Sequence, residues 1–389
     1  MKLLFLSPGI SRRDFWQAAA ANLLFFWNIN AFNLLPLYIK DLGGSEARIG
    51  WIMGVYHLAA ILCQPAVGRW IERFGIKPFL FLGGTATLLA SVTFAFLTEL
   101  SPLFSLLRFL QGFGYSAFFI ANLTLIAEIA PERNRAEAVG IFGISGLVSI
   151  AAAPALGELL IQAYGYRIFF LTASLFSLGC LLVVGALKPP EIPPEASDGW
   201  GEITNSSVHL PLLISVIFGA SVGTLFAFVP PFAKEAGVER IGAFYLAYAG
   251  SAIGIRVLGR RWADAWGRWQ VVIPALLLKA VGILLLLWPG PLRALFLVGG
   301  FTGGAHGLLY PTLTALLVDQ VQSGRRGRVL GLFSGAVLLG SSLGAIAMGL
   351  IAEQVGYQGT FGLTGVLPLV GILLISRSGR KGSSRAGRP

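Results

Sequence analysis

The chain has 389 residues, 55% hydrophobic and only 12% charged, whereas soluble domains carry about a quarter charged residues; a water-facing globule is excluded. A mean hydropathy of +0.76 leaves lipid as the solvent. The net charge of +11 does not indicate nucleic acid, because the cations fall in short segments between long apolar runs.

The opening "MKLLFLSPGISRR" is broken by Pro8 and Gly9 and lacks a small-residue cleavage site. It reads as a cytoplasmic tail (1–14) rather than a signal peptide. Beyond it, a bilayer core needs about 20 apolar residues per helix. Twelve spans meet this, near 15–39, 49–70, 78–98, 103–129, 136–163, 166–187, 210–233, 241–259, 270–289, 293–319, 328–352 and 357–376. The Pro- and acid-rich linker 188–209 divides them six and six, and a basic tail follows at 377–389. The expected fold is an all-α membrane protein of two pseudo-symmetric six-helix bundles, 15–187 and 210–376.

Lys and Arg bias sets orientation. With the N-terminus inside, the inner segments hold twenty Lys and Arg and the outer ones six, which predicts both termini on the cytoplasmic side. Cys63 and Cys180 lie inside apolar runs, and His57, His209 and His306 show no ligand spacing; neither a disulfide framework nor a metal site or cofactor is expected.

The halves repeat. Glu128 and Asp319, Arg135 and Arg326, Gly140 and Gly331, Phe142 and Phe333, Gly165 and Gly356, Tyr166 and Tyr357, and Phe170 and Phe361 are each separated by 191 residues. A parallel repeat of six spans is a transporter architecture, with its substrate site at the midplane. The 50 glycines, clustered as in "GGFTGGAHG" (299–307), fit close helix packing or hinges.

Two short segments between spans carry paired charges: "GRWIERFGIK" (68–77) and "RRWADAWGR" (260–268). Together they resemble the loop signature of the major facilitator superfamily. Gly68, Glu72, Arg73, Gly75 and Lys77 match the first copy, with Glu72 where Asp is usual; Asp264, Gly267 and Arg268 match the second. Arg108, Gln111, Gly112 and Gly114 resemble the span-4 signature of proton-coupled members, and Gly140, Pro154 and Gly157 part of the span-5 antiporter signature. "IRVLGRRWAD" and "YPTLTALLVDQ" resemble bacterial efflux permeases. The resemblance implies a conformational latch of Gly68, Glu72, Arg73, Gly75, Glu128, Asp264, Gly267, Arg268 and Asp319, in which Arg73 meets Glu128 and the second loop meets Asp319. It also implies that spans 1, 4, 7 and 10 line a cavity.

On those spans, 100° per residue places polar and aromatic side chains in stripes. Span 4 carries Arg108, Gln111, Tyr115 and Asn122; span 10 repeats it with Thr302, His306 and Tyr310. Span 1 offers Asn22, Phe26, Asn30 and Asn33, and span 7 Ser221, Thr224 and Phe228. Such groups either bind a solute or hold helices together. An isolated arginine costs ~2.5–3.5 kcal/mol on insertion scales, so Arg108 needs a partner or must snorkel. Glu158 sits at equal depth on span 5. Arg108, Glu158 and His306 are therefore the proton-coupling candidates. Arg256 is near enough to a helix end to snorkel, and Lys279, on a peripheral span, has no evident role. No pair suggests covalent chemistry, so no enzyme is expected. The reading is a proton-coupled exporter of a small amphipathic or drug-like molecule, monomeric in the inner membrane, with uptake or facilitated diffusion of a polar metabolite as the alternative.

Overall fold

The computed structural model describes residues 12–129, 135–189, 206–238, 240–259, 261–288, 291–321 and 326–382. Most of the expected N-terminal tail (1–11), most of the linker (190–205) and the end of the basic tail (383–389) lie outside the described residues. All regular structure among the described residues is helical. The elements are α1 (Arg12–Ala31), α2 (Leu35–Asp41), α3 (Glu46–Phe74), α4 (Ile76–Phe94), α5 (Leu103–Ile129), α6 (Arg135–Ala186), α7 (His209–Glu235), α8 (Gly242–Leu258), α9 (Trp262–Trp266), α10 (Arg268–Leu284), α11 (Pro291–Val318) and α12 (Arg326–Gly382). In hydrocarbon every backbone N–H and C=O must be satisfied within the protein, and uninterrupted helices do that locally.

Eight helical stretches are long and apolar enough to cross a bilayer. Two of them, Gly143–Ala186 and Arg328–Ser378, each hold two spans. The chain reverses inside them at Gly165 (φ 79°, ψ 176°) and Gly356 (φ 70°, ψ −179°), a conformation open to glycine and strained for other residues. The 17-residue α8 and the glycine-rich α11 complete twelve spans, with α1 and α2 forming the first. Exposed leucines such as Leu62, Leu159 and Leu182 suit lipid contact. Trp16, Trp51, Trp70, Trp266 and Trp288 are exposed near helix ends, where indole rings favour the bilayer interface.

The chain forms two compact units, Met1–Gly44 with Val55–Ser197 and Ser45–Gly54 with Asp198–Pro389. In the first, α6 packs against α1 and α4, and α4 against α5. Phe25 and Phe118 stack at 3.9 Å in its core. Asn28, fully buried, donates to Ser91 Oγ at 2.7 Å and to the Ala173 carbonyl at 2.8 Å, tying three helices.

In the second unit α12 packs against α7 and α10, and α11 against α8 and α10. The first turns of α3 belong here. Tyr357 Oη donates to Glu46 at 3.1 Å, and Ser342 Oγ to the Gly54 carbonyl at 3.0 Å. Close crossings repeat in both units: a Cβ on Gly112 would collide with the Tyr56 carbonyl, and one on Gly303 with the Tyr248 carbonyl. Only hydrogen fits at these two crossings, which accounts for part of the small-residue pattern.

Candidate functional site

In the first unit the predicted stripes separate into two groups. One is turned into the unit's own packing. Asn22 donates to Ser145 Oγ at 2.7 Å and accepts from Asn122 at 3.3 Å; Asn122 also approaches the Ala18 carbonyl at 3.4 Å. Asn30 donates to Ser149 Oγ at 2.8 Å, and Asn33 reaches Asn30 Oδ1 at 3.5 Å. All four asparagines are buried, and these donor groups are engaged between or along helices.

The other group surrounds Arg108, which is 3% exposed. Its guanidinium donates to Gln111 Oε1 at 2.8 Å and lies 4.4 Å from the Tyr56 ring centroid. A planar delocalised cation stacks well on an aromatic face. Arg108 Nε and Gln111 Nε2 remain buried N–H donors with no acceptor among the described residues. Tyr115, half-buried, stacks on Phe119 at 5.2 Å and meets Phe26 edge-on at 6.0 Å and Tyr56 at 5.7 Å. Thus Arg108 finds a tyrosine face and an amide rather than the carboxylate expected from depth. Glu158 is buried in the same unit.

The second unit shows the same division. Ser221, Thr224 and Thr302 are fully buried, and their hydroxyls donate to the carbonyls of Ile217, Ala220 and Val298 on their own helices. His306 is different. Its Nδ1 shares a 2.6 Å hydrogen bond with Tyr248 Oη, and its ring lies parallel to Tyr310 at 5.8 Å. Arg256 stands 5.7 Å from the Tyr310 centroid. Lys279 Nζ, fully buried, lies 5.6 Å from the centroids of both Phe218 and Tyr248. Neither Arg256 Nε nor Lys279 Nζ has a hydrogen-bond acceptor among the described residues.

Sequence reading missed Tyr56, Tyr248 and Phe218, and noted Lys279 without a role for it. A signal for the tyrosines was present: Tyr56 and Tyr248 sit at nearly the repeat spacing, as do the glycines that cross them. Both tyrosines lie on the second span of their half, outside the four spans expected to line a cavity.

Of the expected latch residues, three meet. Arg268 donates to Asp264 at 2.9 Å and to Asp319 at 3.0 Å, joining the turn before α10 to the end of α11. Gly75 (φ 81°) and Gly267 (φ 97°) occupy equivalent left-handed positions ahead of α4 and α10. Glu72, Arg73 and Glu128 are exposed, Gly68 is half-buried, and the Arg73 guanidinium lies 5.2 Å from the Phe74 ring. A groove of about 690 Å³ lined by Arg13, Trp16, Gln17 and Leu182 shares no residue with either cation cluster. No group of three or more His, Cys, Asp or Glu residues suited to a metal occurs among the described residues.

Two repeated six-span units, with polar clusters buried in apolar helices, define a multi-pass membrane transporter of small molecules. The chain belongs to the Major Facilitator Superfamily, which it matches over residues 16–293 and 242–388. It is 26% identical over 377 residues to the staphylopine export protein of Staphylococcus aureus, covering 91% of this chain and 93% of the relative. It is 27% identical over 334 residues to a multidrug resistance protein B homolog of Mycobacterium tuberculosis, covering 82% of this chain and 60% of that one. Among solved structures, the nucleoside transporter NupG superimposes with a TM-score of 0.82 at 15% identity, covering 93% of this chain and 99% of that chain.

Proposed function

We propose that this protein exports a small amphipathic or drug-like molecule by alternating access, driven by protons, as a monomer in the cytoplasmic membrane with both termini inside. The observation that carries export is the end-to-end similarity to an exporter of staphylopine. The transport core is the pair of bundles 15–187 and 210–376, joined by the cytoplasmic linker 188–209.

Aromatic faces with a few fixed polar groups bind amphipathic solutes, the rings supplying contact area and the polar groups orientation. Tyr115 with Arg108 and Gln111, and His306 with Tyr310, serve this role, and the asparagine and hydroxyl stripes hold the helices that carry them. Glu158 and His306 take up and release the coupling proton, and Arg108 biases that equilibrium. The Asp264–Arg268–Asp319 contacts belong to a latch that forms and breaks with the change of access.

The test is reconstitution into liposomes under an imposed pH gradient, with a pH-sensitive dye inside and a substrate panel outside. Substrate-dependent collapse of the gradient is the expected result. Substrate movement indifferent to the gradient would replace this reading with facilitated diffusion or uptake of a metabolite.

A further inference from the structure

The buried donors that lack acceptors in the two clusters share one polarity. Arg108 Nε, Gln111 Nε2, Arg256 Nε and Lys279 Nζ are all N–H groups. No described carboxylate forms an ion pair with Arg108, Arg256 or Lys279. Ring faces compensate only partly, because a cation–π contact returns less free energy than taking the ion out of water costs. A role limited to packing would favour an apolar side chain of similar volume at these positions, and such replacements are often neutral or stabilising. The clusters therefore hold positive charge and donor capacity that the described residues do not use.

We propose, resting on the transport reading above, that the transported molecule is an organic anion, a carboxylate on an apolar body. In the first unit, Arg108 and Gln111 offer N–H donors to such a carboxylate. The second unit, by itself, offers the same chemistry to a carboxylate through His306 and Arg256, both half-buried, and the fully buried Lys279 adds attraction at short range in a medium of low dielectric. Lys279 is thus a positioning charge, and Tyr248, which faces it and is hydrogen-bonded to His306, is the link between the two.

The full-length protein in nanodiscs is titrated with acetate, benzoate and 2-naphthoate, each beside its neutral amide and the matching primary amine. Binding is read by tryptophan fluorescence and by thermal shift. At least one carboxylate is expected to bind tenfold or more tightly than its amide and its amine. Arg108→Met and Lys279→Met should each weaken carboxylate binding at least tenfold, with amide binding unchanged. Lys279→Met should also leave the ligand-free melting temperature equal or higher, which separates lost binding from lost folding. Arg256→Gln, at a half-buried position, gives a second reading of the same charge. Amides or amines that bind as well as every carboxylate, or methionine variants that keep the carboxylate preference, overturn the proposal. Counterflow in proteoliposomes separates the two readings. Movement of neutral or cationic compounds without carboxylate binding leaves transport standing and removes the anion; carboxylate binding with no movement under any gradient does the reverse.

Discussion

Each half of the molecule lays a cation on a tyrosine, and the tyrosine sits where its helix crosses a glycine of the half's fourth span. In the first half these are Arg108, Tyr56 and Gly112; in the second, Lys279, Tyr248 and Gly303. The tyrosine and glycine occupy matching places in the repeat, but the cations do not. Arg108 comes from α5, the same helix as Gly112, whereas Lys279 comes from α10. The arginine has an amide acceptor one turn away, and among the described residues the lysine has rings alone. The backbone crossing is alike in the two halves, while the charge on the tyrosine comes from different helices. Positive charge on a ring is therefore a property that both halves share, though different residues deliver it.

The equivalence of the crossings is the easiest part to break. Gly112→Leu and Gly303→Leu should each force their helices apart and destabilise the folded protein by on the order of 3 kcal/mol, seen as loss of monodisperse protein on detergent size-exclusion chromatography. If one variant folds normally, the crossings are not equivalent. The two cations can be compared next. Arg108→Met should reduce transport by about 10–100-fold, the worth of one charge-assisted hydrogen bond. Arg108→Lys should not restore it, since lysine lacks the planar fork. Full rescue would show that the first half needs only a positive charge, the one feature Arg108 shares with Lys279.

The repeat-related tyrosines give a smaller comparison. Tyr166 donates to Asp41 at 2.7 Å, and Tyr357 to Glu46. Tyr166→Phe and Tyr357→Phe should each cost about 1 kcal/mol in thermal denaturation, and an unequal loss would distinguish the two contacts. Least in stability is Asp319→Asn. Its ion pair with Arg268 is exposed and should shift unfolding by less than about 1 kcal/mol, while changing transport several-fold. Unaltered transport would deny the latch a role in switching.

How far the sequence could be read follows from what its patterns encode. The repeat pairs Gly165–Gly356 and Tyr166–Tyr357 mark equivalent reversals of the chain, and the residues of the charged turn include the Arg268–Asp319 contact. Hydropathy and spacing report such features because lipid thickness and helix pitch fix them. The partners of a polar residue are another matter. A period of 100° gives Asn30 and Tyr115 a face on their helices, but not whether that face meets a neighbouring serine, as Asn30 does, or a cluster of rings, as Tyr115 does. Lys279 was opaque for the same reason: neither of its ring partners, Phe218 and Tyr248, is near it in sequence.

Lys279 also bears on the order in which the protein is made. A helix that carries a lysine in its middle enters the bilayer poorly by itself, so α10 depends on neighbours already in place. The two rings that face Lys279 belong to α7 and α8, and both helices leave the ribosome before α10. The earlier helices thus prepare the shelter that the later one requires, and chain order becomes part of how a buried charge is admitted to the membrane.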